Sequence, residues 1–263
     1  MPEHSLDEAL DALEREAGAA LRALSSAAKA AKRAKAAAAV GRIKDLQQAL
    51  DASAQLAAEA ADAASALRSA WDFDVAEWFA SGQYLKELLG AATEAGLSAF
   101  ESDGTVLSYP VIVRVSPLDT TVLVDKRKER GVRPSAVVRH LSTLQQKPPN
   151  FKADAFIEAL AVGYDYVAKY QGLRPGAVAK LVDVHKVLTL LPGSAREYTR
   201  QEFARDLYLL DQREVTETKD GRLMSLPASA LTRDQRGVLV TVTRGGQQKV
   251  YAGISFTEKP SRQ

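Results

Sequence analysis

Asp119 and the run Val122-Leu-Val-Asp125-Lys126-Arg127-Lys128-Glu129 set carboxylates beside lysines, the residue types that hold Mg²⁺ and activate a water. Restriction-type nucleases carry one acid and then, on a hairpin, an acid and a lysine two residues apart. Here the residue two after Asp125 is Arg127, so the lysine falls out of step. A metal-dependent nuclease centred on Asp119 and Asp125, with Lys126 or Lys128, is therefore the alternative reading and not the leading one.

Other catalytic patterns are missing. There is no Gly-x-x-x-x-Gly-Lys-Ser/Thr loop, no Gly-x-Gly-x-x-Gly and no Gly-x-Ser-x-Gly elbow. His4, His140 and His185 stand alone, with no His-x-x-x-His pair to seat a metal. His185 lies beside an apolar helical stripe and reads as packed or superficial. His140 follows Arg139, whose charge disfavours a second positive charge, and reads as a surface residue. With no cysteine in the chain, disulfides, thiol nucleophiles and Cys-ligated metals are excluded. No cofactor and no metal is expected.

Binding chemistry is better represented. Lys126, Arg127, Lys128, Arg130, Arg133 and Arg139 outnumber Asp125 and Glu129, in a strand-to-helix loop that would suit an anion. Further along, Arg200 and Arg205 are expected on the exposed side of a capped helix. Arg233 and Arg236 precede a hairpin, and Arg244 and Lys249 flank its glycine tip. Such groups would meet DNA phosphates. Glu202, Asp206 and Asp211 on the same helix would repel them, and residues 193–263 hold only 12 basic against 9 acidic residues.

The elements that must position these residues begin with an arm. Residues 1–70 hold 26 alanines and no aromatic residue, whereas all 17 aromatics lie at or beyond Trp71. Apolar positions recur at Leu6, Leu10, Leu13, Ala17, Leu21, Leu24, Ala28 and Ala31, and again at Ile43, Leu46, Leu50, Ala57, Ala60, Ala64, Leu67 and Trp71. Steps of three, four and seven predict two helices sharing a narrow seam, broken at Gly41. An alanine seam buries little area, so the arm at 1–71 is expected to self-associate or to hold a partner protein. Its basic stretch, Lys29, Lys32, Arg33, Lys35, Arg42 and Lys44, would sit at the hairpin tip.

Residues 72–172 read as an α+β domain. Asp72–Gly90 predicts one amphipathic helix, and Leu97–Phe100 pairs with Thr105–Val115 across a turn at Asp103-Gly104. Thr120–Val124 is a third strand, and helices follow over Pro134–Gln145 and Phe151–Gln171. Residues 173–263 predict a helix over Ala177–Leu191 and a capping box at Thr199-Arg-Gln-Glu202 opening a second. Hairpins follow over Thr216–Ser225 and Val238–Phe256, the latter with Val238, Val240 and Val242 facing inward. Helix, turn, capped helix and Gly-tipped hairpin is the order of a winged helix. The expected fold is thus α+β: a long Ala-rich helical hairpin or coiled-coil arm, a central antiparallel meander with helices, and a C-terminal winged-helix-like unit.

Lys plus Arg is 35 and Asp plus Glu is 33, so any nucleic-acid surface must come from local segregation of charge. The first 98 residues hold 10 basic and 15 acidic residues, the remainder 25 and 18. No apolar run reaches the length of a membrane span, and Met1-Pro-Glu-His-Ser lacks the pattern of a secretion signal, so a cytoplasmic protein is expected with no membrane partner. The leading functional expectation is a non-enzymatic, DNA-associated accessory or assembly subunit, its arm serving assembly and its winged-helix-like unit contacting duplex DNA or a partner subunit. By analogy of composition alone it suits a bacterial multi-protein system with a separate ATPase or nuclease, in chromosome maintenance or antiviral defence. A purely protein-binding scaffold is the other alternative.

Overall fold

A computed structural model describes residues 4–102, 104–213, 215–227 and 237–259. The chain packs as two units, Met1–Glu87 with Arg133–Ser135, and Leu88–Val132 with Ala136–Gln263. Asp103, Arg233 and Arg236 lie outside the described residues.

The first unit is built on α1 (Leu6–Ala39) and α2 (Ile43–Ser69), an antiparallel helical hairpin. Ser5 starts α1 with a capping box: its hydroxyl accepts from the Glu8 amide at 3.2 Å, and the Glu8 carboxylate accepts from the Ser5 amide at 2.9 Å. The Glu87 carboxylate takes the Leu6 and Asp7 amides at 3.0 and 2.8 Å and the Trp78 indole N–H at 2.8 Å. It thereby satisfies two further donors that the first helical turn leaves free. At the far end Gly41, at φ +69°, closes α1: the Gly41 and Arg42 amides donate to Ala38 and Ala37. That pairing is a Schellman motif, and it is where the sequence places the break.

Leu6, Leu10, Leu13, Leu46, Ala60 and Leu67 turn inward as expected, but the rest of the seam runs one face away from the expected set. Ala20, Ala23, Ala27, Ala30, Ala34 and Ala37 of α1 turn inward, as do Leu46, Ala49, Ser53, Leu56, Ala60, Ala63 and Leu67 of α2. Leu21, Leu24, Ile43 and Leu50, expected in the seam, are more than half exposed. On α1 the alanines let the two backbones approach closely and leave Leu21 and Leu24 outside, whereas α2 contributes Leu46, Leu56 and Leu67 to the seam. The single helix expected over Asp72–Gly90 is two: α3 (Val75–Ala80) and α4 (Gln83–Glu94), split where Gly82 takes φ +75°. In this unit Arg133 pairs with Asp7 at 2.9 Å, with Glu14 at 3.1 Å and with Asp11, while Ser135 donates twice to Asp7.

The second unit opens with an antiparallel meander in the order β1 (Phe100–Ser102), β2 (Thr105–Ser108), β3 (Val111–Ser116), β4 (Thr121–Val124) and β5 (Arg127–Lys128). The run expected over Thr105–Val115, bending at Tyr109-Pro110 or lying at an edge there, is two strands, with Tyr109-Pro110 as the turn between β2 and β3. A proline that cannot donate to a ladder is accommodated there. Helices α5 (Pro134–Gln145) and α6 (Ala153–Gln171) follow.

Next come β6 (Ala179–Lys180), α7 (Leu181–Leu188), α8 (Ser194–Glu197), α9 (Arg200–Asp211), β7 (Arg222–Ser225), β8 (Leu239–Val242), β9 (Gln248–Tyr251) and β10 (Gly253–Glu258). β10 lies between β6 and β7, and β8 pairs with β9. Three expectations change. The helix expected from Ala177 starts at Leu181, because Ala179 and Lys180 pair with Ile254 and Gly253. The expected 238–256 hairpin divides, since β9 pairs only with β8 whereas β10 joins the other sheet. Within β8 it is Leu239 and Thr241 that turn inward, with Val242, and not the Val238 and Val240 set.

The core of this unit joins Ile157, Leu160 and Tyr164 of α6, Leu181 and Val184 of α7, Phe203, Leu207 and Leu210 of α9, and Ile254 and Phe256 of β10. Fully burying a side chain of this size contributes roughly 1.5–3 kcal/mol. Gly163 lets α6 and α7 approach closely: a Cβ there would stand 3.0 Å from Val184 Cγ1 and press it aside. The chain is therefore α+β, with a long N-terminal helical pair and an antiparallel meander.

Candidate nucleic-acid interface

The turn between β4 and β5 is Asp125-Lys126, and both residues adopt positive φ, +45° and +69°. A two-residue hairpin of this hand matches the strand twist and normally recruits Asn or Gly. An L-residue held left-handed costs about 1–2 kcal/mol, so the surroundings must hold these two. They do. Asp125 Oδ1 accepts from the Ile112 amide at 3.1 Å and pairs with Arg205 at 2.8 Å. The Lys126 ammonium pairs with Glu202 at 3.1 Å and donates to the Glu197 carbonyl.

Glu202 is the centre of this contact and is 5% exposed. It completes the capping box of α9, accepting from the Thr199 amide at 2.8 Å and the Thr199 hydroxyl at 2.9 Å. Arg114 of β3 reaches the same carboxylate at 3.1 Å, and Thr199 Oγ1 at 3.1 Å. Burial works to raise the Glu202 carboxyl, but the Thr199 donors, Lys126 and Arg114 outweigh it and hold the group below the ordinary glutamate value. Beside it, Arg205 bridges Asp125 and Asp206, and Asp206 accepts from the Tyr198 hydroxyl at 2.8 Å. Burial pushes Asp206 up despite those partners. His185, 5% exposed, donates from Nε2 to the Tyr198 carbonyl at 2.7 Å, and burial lowers its pKa. The meander and the start of α9 are thus clamped by a network of alternating charge.

The sequence-expected cations divide into two groups. Lys126, Arg205, Arg133 and Lys249 are occupied: Lys249 pairs with Asp211 and lies over the Tyr208 and Tyr251 rings. Arg205, expected to face solvent, is drawn inward by Asp125 and Asp206. Glu202, expected to repel phosphate from the surface of α9, is buried and neutralised. The second group is open. Arg127 and Lys128 are both exposed on β5, which is an edge of the sheet, and Arg130 and Arg200 are exposed beyond it. None of the four has a carboxylate partner among the described residues. Arg244 is likewise exposed at the β8–β9 turn, where its amide donates to the Tyr208 hydroxyl at 2.9 Å.

Arg196 belongs with the open group and sequence reasoning missed it. Its signal was its place next to Glu197, whose carbonyl Lys126 holds. The glycine tip is not a free projection: a Cβ on Gly246 would stand 2.0 Å from Ser98 Oγ.

The nuclease carboxylates do not converge. Asp119 lies in the turn before β4 and Asp125 in the turn after it, and the four extended residues between those turns span roughly 13 Å. Asp119 accepts from Ser116 at 2.9 Å, and Asp125 is committed to Arg205. Among the described residues no group of three or more His, Asp or Glu is placed to hold a metal ion. His140 pairs with Glu129 at 3.2 Å. No helix among the described residues is long and apolar enough to cross a membrane. No family model matches the chain, and no curated protein or solved structure matches it either.

Proposed function

We propose that this chain is a cytoplasmic, non-catalytic accessory subunit that holds duplex DNA by its phosphates. The contact surface is the basic rim of Arg127, Lys128 and Arg130 on the meander with Arg196 of α8 and Arg200 at the start of α9. One observation carries the reading: these exposed cations have no acidic partner among the described residues, while the neighbouring Arg114 and Lys126 are tied to buried Glu202 and Arg205 is tied to Asp125 and Asp206. Unpaired cations on a rigid support meet phosphates without losing internal ion pairs.

The element order supports a winged-helix-like reading of the C-terminal part. α6, β6, α7, α9, β7 and β10 succeed one another with β10 between β6 and β7, and the β8–β9 hairpin falls in the wing position. In that reading α9 is the recognition helix. Yet seven of its 12 residues are buried, and its Glu202 and Arg205 are held by the meander. That favours contact with the DNA backbone over reading of bases. The scaffold alternative draws on Val162, Tyr166 and Tyr170, spaced by four along α6 and each more than half exposed.

The test is a mobility shift with a random-sequence duplex at low salt. The wild type should bind without sequence preference. Arg127→Ala/Lys128→Ala/Arg130→Ala should weaken binding on the order of tenfold or more, uniformly across sequences. No shift by the wild type at low salt, or equal binding by the triple variant, would overturn the proposal.

A further inference from the structure

The helical hairpin has a second apolar face, larger in side-chain size than the seam it encloses. Leu21 is 66% exposed, Leu24 52%, Ile43 62% and Leu50 53%. On α1 the stripe continues through exposed Ala17, Ala28 and Ala31; on α2 it recurs every seven residues at Ile43, Leu50, Ala57 and Ala64. At about 100° per residue each stripe lies roughly 80–110° from its own seam, turned in the same sense on both helices. In an antiparallel pair, equal turns of one sense carry both stripes to the same side. The hairpin therefore presents one continuous apolar face, while Lys29, Arg33 and Arg42 line a groove of about 710 Å³ on the other side.

Charge along the hairpin is polarised end to end. Residues 24–50, the tip half, hold six basic residues against Asp45. Residues 4–23 and 51–71, the base half, hold eight acids against Arg15, Arg22 and Arg68, and Arg133 answers only three of those acids. A second hairpin laid face to face and head to tail would set each basic tip over an acidic base. Laid tip to tip, like charges would meet.

We infer that the occupant of this face is the same face of a second copy, related by a two-fold axis crossing the hairpin near Leu21 and Leu24, to make an antiparallel four-helix bundle. The available area fits. The 27 residues of α2 span about 40 Å, and two helices side by side are about 20 Å wide, giving roughly 800 Å² per copy, which is the size of a standard stable interface. An isologous contact needs a self-complementary patch, and an apolar centre flanked by opposite charges supplies one.

Sedimentation equilibrium of the full chain at tens of micromolar should give a dimer. Leu24→Glu/Leu50→Glu should be monomeric with unchanged helical circular dichroism, because both side chains lie outside the seam. A wild-type monomer, or a double variant that remains dimeric, would overturn the inference. Because the natural chain has no cysteine, orientation can be read separately by oxidation. Leu21→Cys should form an intermolecular disulfide, and Val40→Cys, at the tip, should not; the reverse result would refute the antiparallel arrangement.

Discussion

Replacing Glu202 with glutamine removes one charge and almost no volume from the clamp between the meander and α9. The side chain now accepts two Thr199 donors and pairs with Arg114 and Lys126, both at 3.1 Å. Arg114 and Lys126 are 30% and 50% exposed along their side chains, so each pair contributes nearer about 0.5–1 kcal/mol than the cost of a fully buried pair. The Thr199 hydrogen bonds fall from a charged to a neutral acceptor, a loss of roughly 1 kcal/mol in all. Glu202→Gln should therefore destabilise the fold by about 2 kcal/mol. For a domain of this size that lowers Tm by roughly 4–8 °C.

Thermal unfolding followed by circular dichroism measures the change, and a double-mutant cycle with Lys126→Met apportions it. The cycle should return a coupling of about 0.5–1 kcal/mol. The pH dependence has a definite sign. A carboxylate held below its ordinary value stabilises the fold above the unfolded value of 4.5 and loses that contribution as pH falls through its folded value. The gap between wild type and variant should close below about pH 4.5. A Tm drop under 1 °C at pH 7, or a gap that widens in acid, would refute the reasoning.

Gly246→Ala should destabilise by about 2 kcal/mol or more, since Gly246 sits at φ +78° and the new Cβ would meet Ser98 Oγ at 2.0 Å. Adding Ser98→Gly should restore part of the loss, leaving about 1–2 kcal/mol of backbone strain; no rescue in urea unfolding would disprove the contact. His185 faces Tyr198, Arg200 and Glu202, and its burial lowers its pKa, so the folded state binds fewer protons than the unfolded one. Its stabilising share is complete above about pH 6.5 and is lost progressively as pH falls from there towards the folded value. The His185 ring resonance should titrate with a midpoint below 6.5 in NMR, and a midpoint above 6.5 would contradict the placement.

Local chemistry made part of this fold legible in the sequence. The Thr199–Glu202 capping box and the Gly41 break depend on neighbours a few residues away, and both occur as read. The hairpin itself followed from alanine content and period, but its phase did not. Leu21 and Leu24 form as regular a stripe as Ala20, Ala23 and Ala27, and pattern alone cannot say that close backbone approach selects the smaller set. The parity of β8 was lost because Thr241, the polar residue between Val240 and Val242, is buried with Leu239 and not turned to solvent.

The candidate site was hardest to read because its partners are distant. Arg205 is turned inward by Asp125, 80 residues earlier, and Glu202 is neutralised by Arg114 and Lys126 from the meander. A helix read alone shows only that its charges are mixed. The open cations Arg127, Lys128, Arg130 and Arg200 were legible as a class, since their exposure required no long-range contact.

The most direct test of the central claim is the salt dependence of duplex binding, measured by fluorescence anisotropy between 50 and 200 mM salt. Five phosphate contacts through Arg127, Lys128, Arg130, Arg196 and Arg200 give a slope of log K against log salt near about −4.5. Removing the three meander cations should bring it near about −1.8, while Arg133→Ala, whose charge already serves Asp7, Asp11 and Glu14, should leave it unchanged. A wild-type slope near zero, or one that Arg133→Ala lowers as much as Arg130→Ala does, would contradict the account.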